Sequence, residues 1–169
     1  MTVLEVLIAP DKRLEKVSKP VEKVTDEIRA FLDDMVETMR AHDGAGLAAP
    51  QVNRQHRIIV MELPLTPDVE DNTVFKMINP EIIKRGDRHC AFKEGCLSVP
   101  GERVEVDRIA DITVNYLNEF GEQKTLEASE ILAVCIQHEI DHLDGKLLVD
   151  YLSPFKKKVT LTRLKKHYR

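Results

Sequence analysis

A chain of 169 residues is the size of one domain and buries roughly two-thirds of its unfolded surface on folding. Hydrophobic residues at 43% and charged residues at 32% exclude an intrinsically disordered chain, and the longest apolar runs fall far short of a membrane span. The net charge of −4 is unevenly spread, because Tyr151 to Arg169 carries seven Lys and Arg and no acid.

The first residues have neither a basic lead nor a long apolar stretch, so no signal peptide is read there. Cys90, Cys96 and Cys135 are an odd number, which favours a reducing compartment where a thiol is a ligand or a core residue. The expected setting is the cytoplasm, with no membrane partner.

The first long periodic segment runs from Thr25 to Arg40. Ile28, Phe31, Leu32, Met35, Val36 and Met39 recur at helical spacing and form one apolar stripe. Thr25 is the expected N-cap, Asp26 and Glu27 suit the positive end of the helix, and Gly44 marks the stop. From Gly44 to about Glu127 the pattern changes to short strand-like runs at 57–62, 74–78 and 110–117. Pro64, Pro67, Asn79-Pro80 and Pro100-Gly101 are read as breaks between them. Residues 118–122 read as a hairpin turn leading into 123–126. Helical character returns at Ser129 and ends near Gly145. Pro154 then precedes a basic helix with apolar positions Val159, Leu161 and Leu164. The fold class expected is α+β. It has an amphipathic N-terminal helix, short antiparallel or mixed strands, a central buried helix and a basic C-terminal helix over 154–169.

His138-Glu139-Ile140-Asp141-His142 is an H-E-x-x-H pentad. Residues four apart on a helix lie on one face about 6 Å apart, so both imidazoles reach one metal ion. Glu139 sits about 100° round the helix from His138, better placed to handle a proton than to ligate. Glu130, Gln137 and Asp141 share a narrow polar arc, while Leu132, Ile136, Ile140 and Leu143 lie nearly opposite. Most of the circumference is apolar, so the helix runs through the core, where unpaired histidines and a glutamate are costly. The bland alternative is two hydrogen-bonded core histidines beside a salt-bridged glutamate.

A catalytic zinc-type site has three protein ligands and one open position. No Glu follows Glu139, and the only later histidine is His167 in the basic tail, so the third ligand comes from upstream or is an Asp. Cys135 shares the histidines' face, but about 10 Å of helix rise separates it from His142, so it reads as a core residue. Cys96 lies between Gly95 and Pro100 in a bend where a thiolate projects, and it is favoured over Cys90.

Three segments resemble, in order and spacing, the signature motifs of peptide deformylases. They are Gly44-Ala45-Gly46-Leu47-Ala48-Ala49-Pro50-Gln51, Glu94-Gly95-Cys96-Leu97-Ser98, and Gln137 through Gly145. The likeness covers nearly the whole chain, with residues 6–14 similar to the family's N-terminal strand. It implies a single catalytic domain over 1–169 that hydrolyses the N-formyl group from N-formylmethionine at the start of new polypeptides and releases formate. It further implies that Cys96, His138 and His142 bind one divalent metal, Fe2+ in the family, with Zn2+, Ni2+ or Co2+ able to substitute. Glu139 is then the acid/base, and the Gln51 amide and Leu97 backbone N–H stabilise the oxyanion. Gly46, Ala45, Glu94 and Cys135 are expected at the substrate. Many members carry Ile or Val where Ala45 stands, so the methionine pocket is expected to be roomier.

Arg103 and Arg108 follow the Cys96 bend and are expected to orient site groups, Arg108 by pairing with Asp141. The basic tail is either a solvated helix face or a foothold on a polyanion, and the resemblance points to the ribosome. DNA is not an expected partner, and a monomer is the expected state. Two rivals remain at this stage: an H-E-x-x-H endopeptidase, which needs the missing downstream ligand, and a structural metal site, which needs neither Glu139 nor Gln51.

Overall fold

The computed structural model describes residues 2–168. Helix α1 spans Asp26–Ala41, and the Thr25 hydroxyl accepts from the Ile28 N–H at its start. Phe31, Leu32, Met35, Val36 and Met39 are buried along one stripe, each worth about 2 kcal/mol relative to an exposed side chain. The helix closes with the Gly44 N–H on the Met39 carbonyl, and Asp43 takes the left-handed conformation. An aspartate tolerates that region because its short polar side chain is not β-branched.

The main sheet has five strands. They are β1 (Gly46–Ala48), β2 (Ile58–Pro64), β3 (Asn72–Arg85), β6 (Asp111–Leu117) and β7 (Gln123–Ser129), ordered β1-β2-β3-β6-β7. A separate hairpin joins β4 (His89–Glu94) to β5 (Val104–Ile109). Every strand pair is antiparallel. Strand β2 explains the run Ile58-Ile59-Val60-Met61. Ile58 and Val60 pack with α1, whereas Ile59 and Met61 face helix α2 (Glu130–Leu143) across the other side. A strand covered on both faces loses the polar alternation of a half-exposed one.

Strand β3 does not stop at Asn79-Pro80. It runs through them with a register shift between Ile78 and Glu81, and Asn79 takes a positive φ of 52°. The bulge absorbs the missing proline N–H, and the Asn79 side chain bonds both the N–H and the carbonyl of Val21. Residues 6–14 are not a strand either. The Leu7 N–H donates to the Gln51 carbonyl and the Ala9 N–H to the Ser98 carbonyl, two partners in different segments instead of a ladder. Those two bonds tie the N-terminal segment to both walls of the site described below.

Helix α3 spans Pro154–His167, capped by the Ser153 hydroxyl with proline in its first turn. Leu164 is buried and Leu161 packs beside it, but Val159 is 53% exposed and does not face the core. Among the described residues, no helix is long and apolar enough to cross a membrane.

Candidate metal centre

Helix α2 starts from Ser129 and is packed between the five-stranded sheet and β5. Leu132, Ala133, Ile136 and Leu143 join the core with Ile59, Met61, Met77, Ile112 and Val114. The polar arc turns to β5, where the Gln137 amide accepts from the Ile109 N–H and donates to its carbonyl. His138 and His142 lie one turn apart, their ring centroids separated by 5.1 Å and their planes at 71°.

The third donor comes from the bend after β4, which the Val99 N–H closes onto the Cys96 carbonyl. Cys96 Sγ lies 3.3 Å from His142 Nε2, and the donor atoms of Cys96, His138 and His142 all fall within 4.8 Å of one another. One thiolate and two imidazoles leaving an open side are a donor set that suits Zn2+, Fe2+, Co2+ or Ni2+.

The imidazoles are prepared differently. His138 Nδ1 lies 2.7 Å from Glu94 Oε2. A carboxylate only accepts, so Nδ1 carries the proton and donates, which leaves the Nε2 lone pair for a metal. Burial lowers the His138 pKa, but its bonds to Cys96 and Glu94 hold it well above the usual imidazole value, and a metal entering there displaces a proton. Burial, with the nearby His138, holds His142 well below that value, so its ring is neutral.

Glu94 and Glu139 are both buried and differ in every contact. Arg108 donates to Glu94 through Nε at 2.7 Å and Nη2 at 2.9 Å, and through Nη1 to Asp141 at 2.7 Å. Burial alone raises the Glu94 pKa, but Arg108 and His138 overcome it and hold the carboxyl below the ordinary range. Glu139 has no such partner: its Oε2 is buried without a hydrogen bond, and burial pushes the carboxyl up to about 7. A β-carbon on Gly46 would collide with Glu139 Oε1 and press on Cys135 Sγ, so only glycine lets β1 pass this close.

Gln51 is buried in a 3-10 turn with its Oε1 accepting from the Ala48 N–H at 2.8 Å. That bond fixes the amide orientation and points Nε2 at Ser98 Oγ, 3.1 Å away, and at Cys96 Sγ, 3.6 Å away. Gln51, Cys96, His138 and Glu139 line a cleft of about 1020 Å³.

The family model for polypeptide deformylase matches residues 3–158. The peptide deformylase of Pseudoalteromonas translucida (strain TAC 125) is 48% identical over 166 residues, covering 98% of this chain and 96% of the relative. That of Rickettsia akari (strain Hartford) is 46% identical over 98% of this chain and 97% of its own. The crystal structure of peptide deformylase from Ehrlichia chaffeensis in complex with actinonin superposes with a TM-score of 0.94 at 43% identity, over 100% of this chain and 99% of that one. The chain belongs to the polypeptide deformylase family. It is a metallohydrolase that removes the N-formyl group from nascent peptides, and the family works with a single metal.

In this deformylase the expected site residues do not all lie together. Cys96, His138, His142, Glu139 and Gln51 converge as described. Leu97 is half-buried, with Cδ1 2.9 Å from where a Gly44 β-carbon would stand. Ala45 is exposed on the rim of the cleft, and its carbonyl accepts from the Glu62 N–H. Cys135 lines the cleft with its thiol buried and its pKa raised by that burial. Glu94, expected at the substrate, lines the cleft, with both its oxygens bonded to Arg108 and His138. The two arginines part company: Arg108 is buried in the network, whereas Arg103 is exposed and lies over Gly95 on the rim. Sequence reasoning missed the Glu94–His138 bond, the Ser98 hydroxyl behind Gln51, and Tyr151. The expected pairing of Arg108 with Asp141 is present at 2.7 Å, and the alternation of β5 turns Val104, Val106 and Arg108 inward.

Proposed function

We propose that Cys96, His138 and His142 hold the single divalent ion of this deformylase, and that Glu139, Gln51 and Leu97 run the hydrolysis beside it. The supporting observation is the convergence of three donor atoms next to the unpartnered Glu139 Oε2 beside an open cleft. A divalent ion held by Cys96, His138 and His142 would supply positive charge and a water acidified to a pKa of about 7. Glu139 takes a proton from the attacking water as its oxygen bonds to the formyl carbon. The Gln51 Nε2 and the Leu97 N–H donate to the developing oxyanion, each such donor being worth about 3 kcal/mol. When the C–N bond breaks, Glu139 returns the proton to the leaving nitrogen, giving formate and a free α-amino group. Glu139→Ala is expected to cut formate release from a formyl-Met dipeptide by about 10²- to 10⁴-fold while metal content stays equimolar. Release within a few-fold of the parent chain sinks this assignment.

Fe2+ is the proposed resident ion, and the N,N,S donor set accepts Zn2+, Ni2+ or Co2+ as well. Metal analysis after anaerobic purification tests it, since zinc at full occupancy with no iron contradicts the proposal. The chain is further proposed to act as one catalytic unit over 1–169, as a cytoplasmic monomer with no DNA or membrane partner. It would meet its substrate at the ribosome through α3, where Lys156, Lys158, Lys165 and Lys166 are exposed. Reversing these four lysines to Glu leaves the buried Leu164 in place and is expected to abolish co-sedimentation with ribosomes at low salt. Unchanged co-sedimentation overturns the ribosome reading.

A further inference from the structure

Tyr151 touches none of the proposed metal ligands, yet its hydroxyl ends a chain of hydrogen bonds that begins on one of them. His138 Nδ1 donates to Glu94 Oε2 at 2.7 Å, and Arg108 grips both Glu94 oxygens at 2.7 and 2.9 Å. The remaining nitrogen, Nη1, lies 2.7 Å from Asp141 Oδ2 and 3.1 Å from the Tyr151 oxygen. The Tyr151 hydroxyl in turn donates to Asp141 Oδ2 at 2.6 Å. Its ring lies beneath Lys146 Nζ, 3.9 Å from the centroid, with Arg108 Cζ 5.0 Å from the same centroid.

A bidentate guanidinium–carboxylate pair fixes its two members relative to each other. It does not stop the pair from shifting as a unit, which would carry the His138 imidazole with it. The grip on Nη1 prevents that shift, and Asp141 stands on α2 three residues beyond His138, so the chain closes on the helix where it began. Asp141 holds Nη1 only while its own carboxylate is held, and Tyr151 supplies the second donor that does so. Tyr151 lies in the 3-10 turn Leu148–Tyr151, which is packed against β5, so the anchor is independent of α2.

We propose that Tyr151 is a positioning residue for the metal site, setting the orientation of the His138 imidazole through Asp141, Arg108 and Glu94. The inference rests on the ligand set proposed above. Partners of this kind, lying behind a ligating histidine, are worth 10- to 100-fold in metal affinity, and the far end of such a chain is expected at the low end of that range.

The experiment compares Tyr151→Phe and Tyr151→Leu with the parent holoenzyme, each loaded with Co2+. Tyr151→Phe keeps the ring and its contacts with Lys146 and the Arg108 Cζ and removes the hydroxyl with its bonds to Asp141 and Arg108. It is expected to release Co2+ to a chelator about tenfold faster and to shift the Co2+ absorption bands, with the thermal midpoint of the metal-stripped protein unchanged. Tyr151→Leu also loses the ring and is expected to lower that midpoint as well. Release rate and spectrum of Tyr151→Phe matching the parent, with loss appearing only in Tyr151→Leu, assign the residue to packing and overturn the proposal. His138→Ala separates this failure from a wrong ligand set. If His138→Ala keeps the parent spectrum, His138 is not a ligand and both readings fall. If it loses that spectrum while Tyr151→Phe keeps it, only the role of Tyr151 is refuted.

Discussion

The two sides of the His138–His142 pair are built on opposite terms. Behind the His138 ring, toward β5, Glu94, Arg108, Asp141 and Tyr151 form a closed set of charge-assisted bonds, whereas the His142 Nδ1 is buried without a partner. In front, toward the cleft, Glu139 Oε2 is buried with no partner, and the Gln51 Nε2 leans on a thiol and a hydroxyl. A satisfied buried network resists movement, because breaking one member strands a charge. An unsatisfied buried carboxylate is destabilising until something arrives to hydrogen-bond with it. The difference separates the part of the site that holds geometry from the part that meets water and substrate.

The comparison is tested most severely at Glu139, where Gln is expected to lower kcat by about 10³-fold without loss of folding stability or metal. A fall in the denaturant midpoint would mean that the front carboxylate supports the fold as the rear one does. On the other side, Arg108→Met leaves the buried Glu94 and the half-buried Asp141 without their cation, a loss of about 3–5 kcal/mol readable in urea titration. A loss under about 1 kcal/mol would show that the network is dispensable to the fold.

Gly46→Ala probes the border between the two. Its methyl group pushes Glu139 aside and leaves the rear network untouched, so kcat is expected to fall by about 10²-fold while the melting temperature holds. Activity near that of the parent would show that Glu139 has room to move. The smallest effect belongs to the half-exposed pair Arg40–Glu62, with the same ion types and bonds of 2.7 and 2.9 Å. Arg40 holds the Glu62 carboxyl below its usual value, so the pair stabilises the fold above the ordinary carboxylate range. That stabilisation is lost as pH falls through the lowered value. Arg40→Ala should therefore change stability slightly at pH 7, not at all at pH 2, and less in high salt. An effect at pH 7 as large as that of Arg108→Met would erase the contrast between exposed and buried pairs.

Much of this was legible in short stretches of sequence. The stripe of α1, its Thr25 cap and the turn at 118–122 follow from residues within four or five positions of one another, and the structure has each of them. The polar arc of α2 was visible from its 100° spacing, although the partner of Gln137 was not. Local reading failed where one residue answers to two distant segments. Asn79-Pro80 looks like a break, yet strand pairing on both sides of β3 carries the chain through it with a bulge. The resemblance made residues 6–14 a strand, yet the Leu7 and Ala9 N–H groups bond singly to Gln51 and Ser98. The short β1, with only three residues, has too few positions for any alternation to show.

The H-E-x-x-H helix, its two imidazoles on one face and the basic helix after Pro154 were determined by the sequence alone, because helical periodicity operates within a few residues. The approach of Cys96 to His142 across 46 positions was decided only by the tertiary structure, as was that of Glu94 to His138 across 44. So was the division of Glu94 and Glu139, two ordinary glutamates in sequence, into one fully bonded and one left open. Hydrogen-bonding and burial are properties of the space around a side chain, and that space is assembled from β1, β4, β5 and α2 only when the chain has folded.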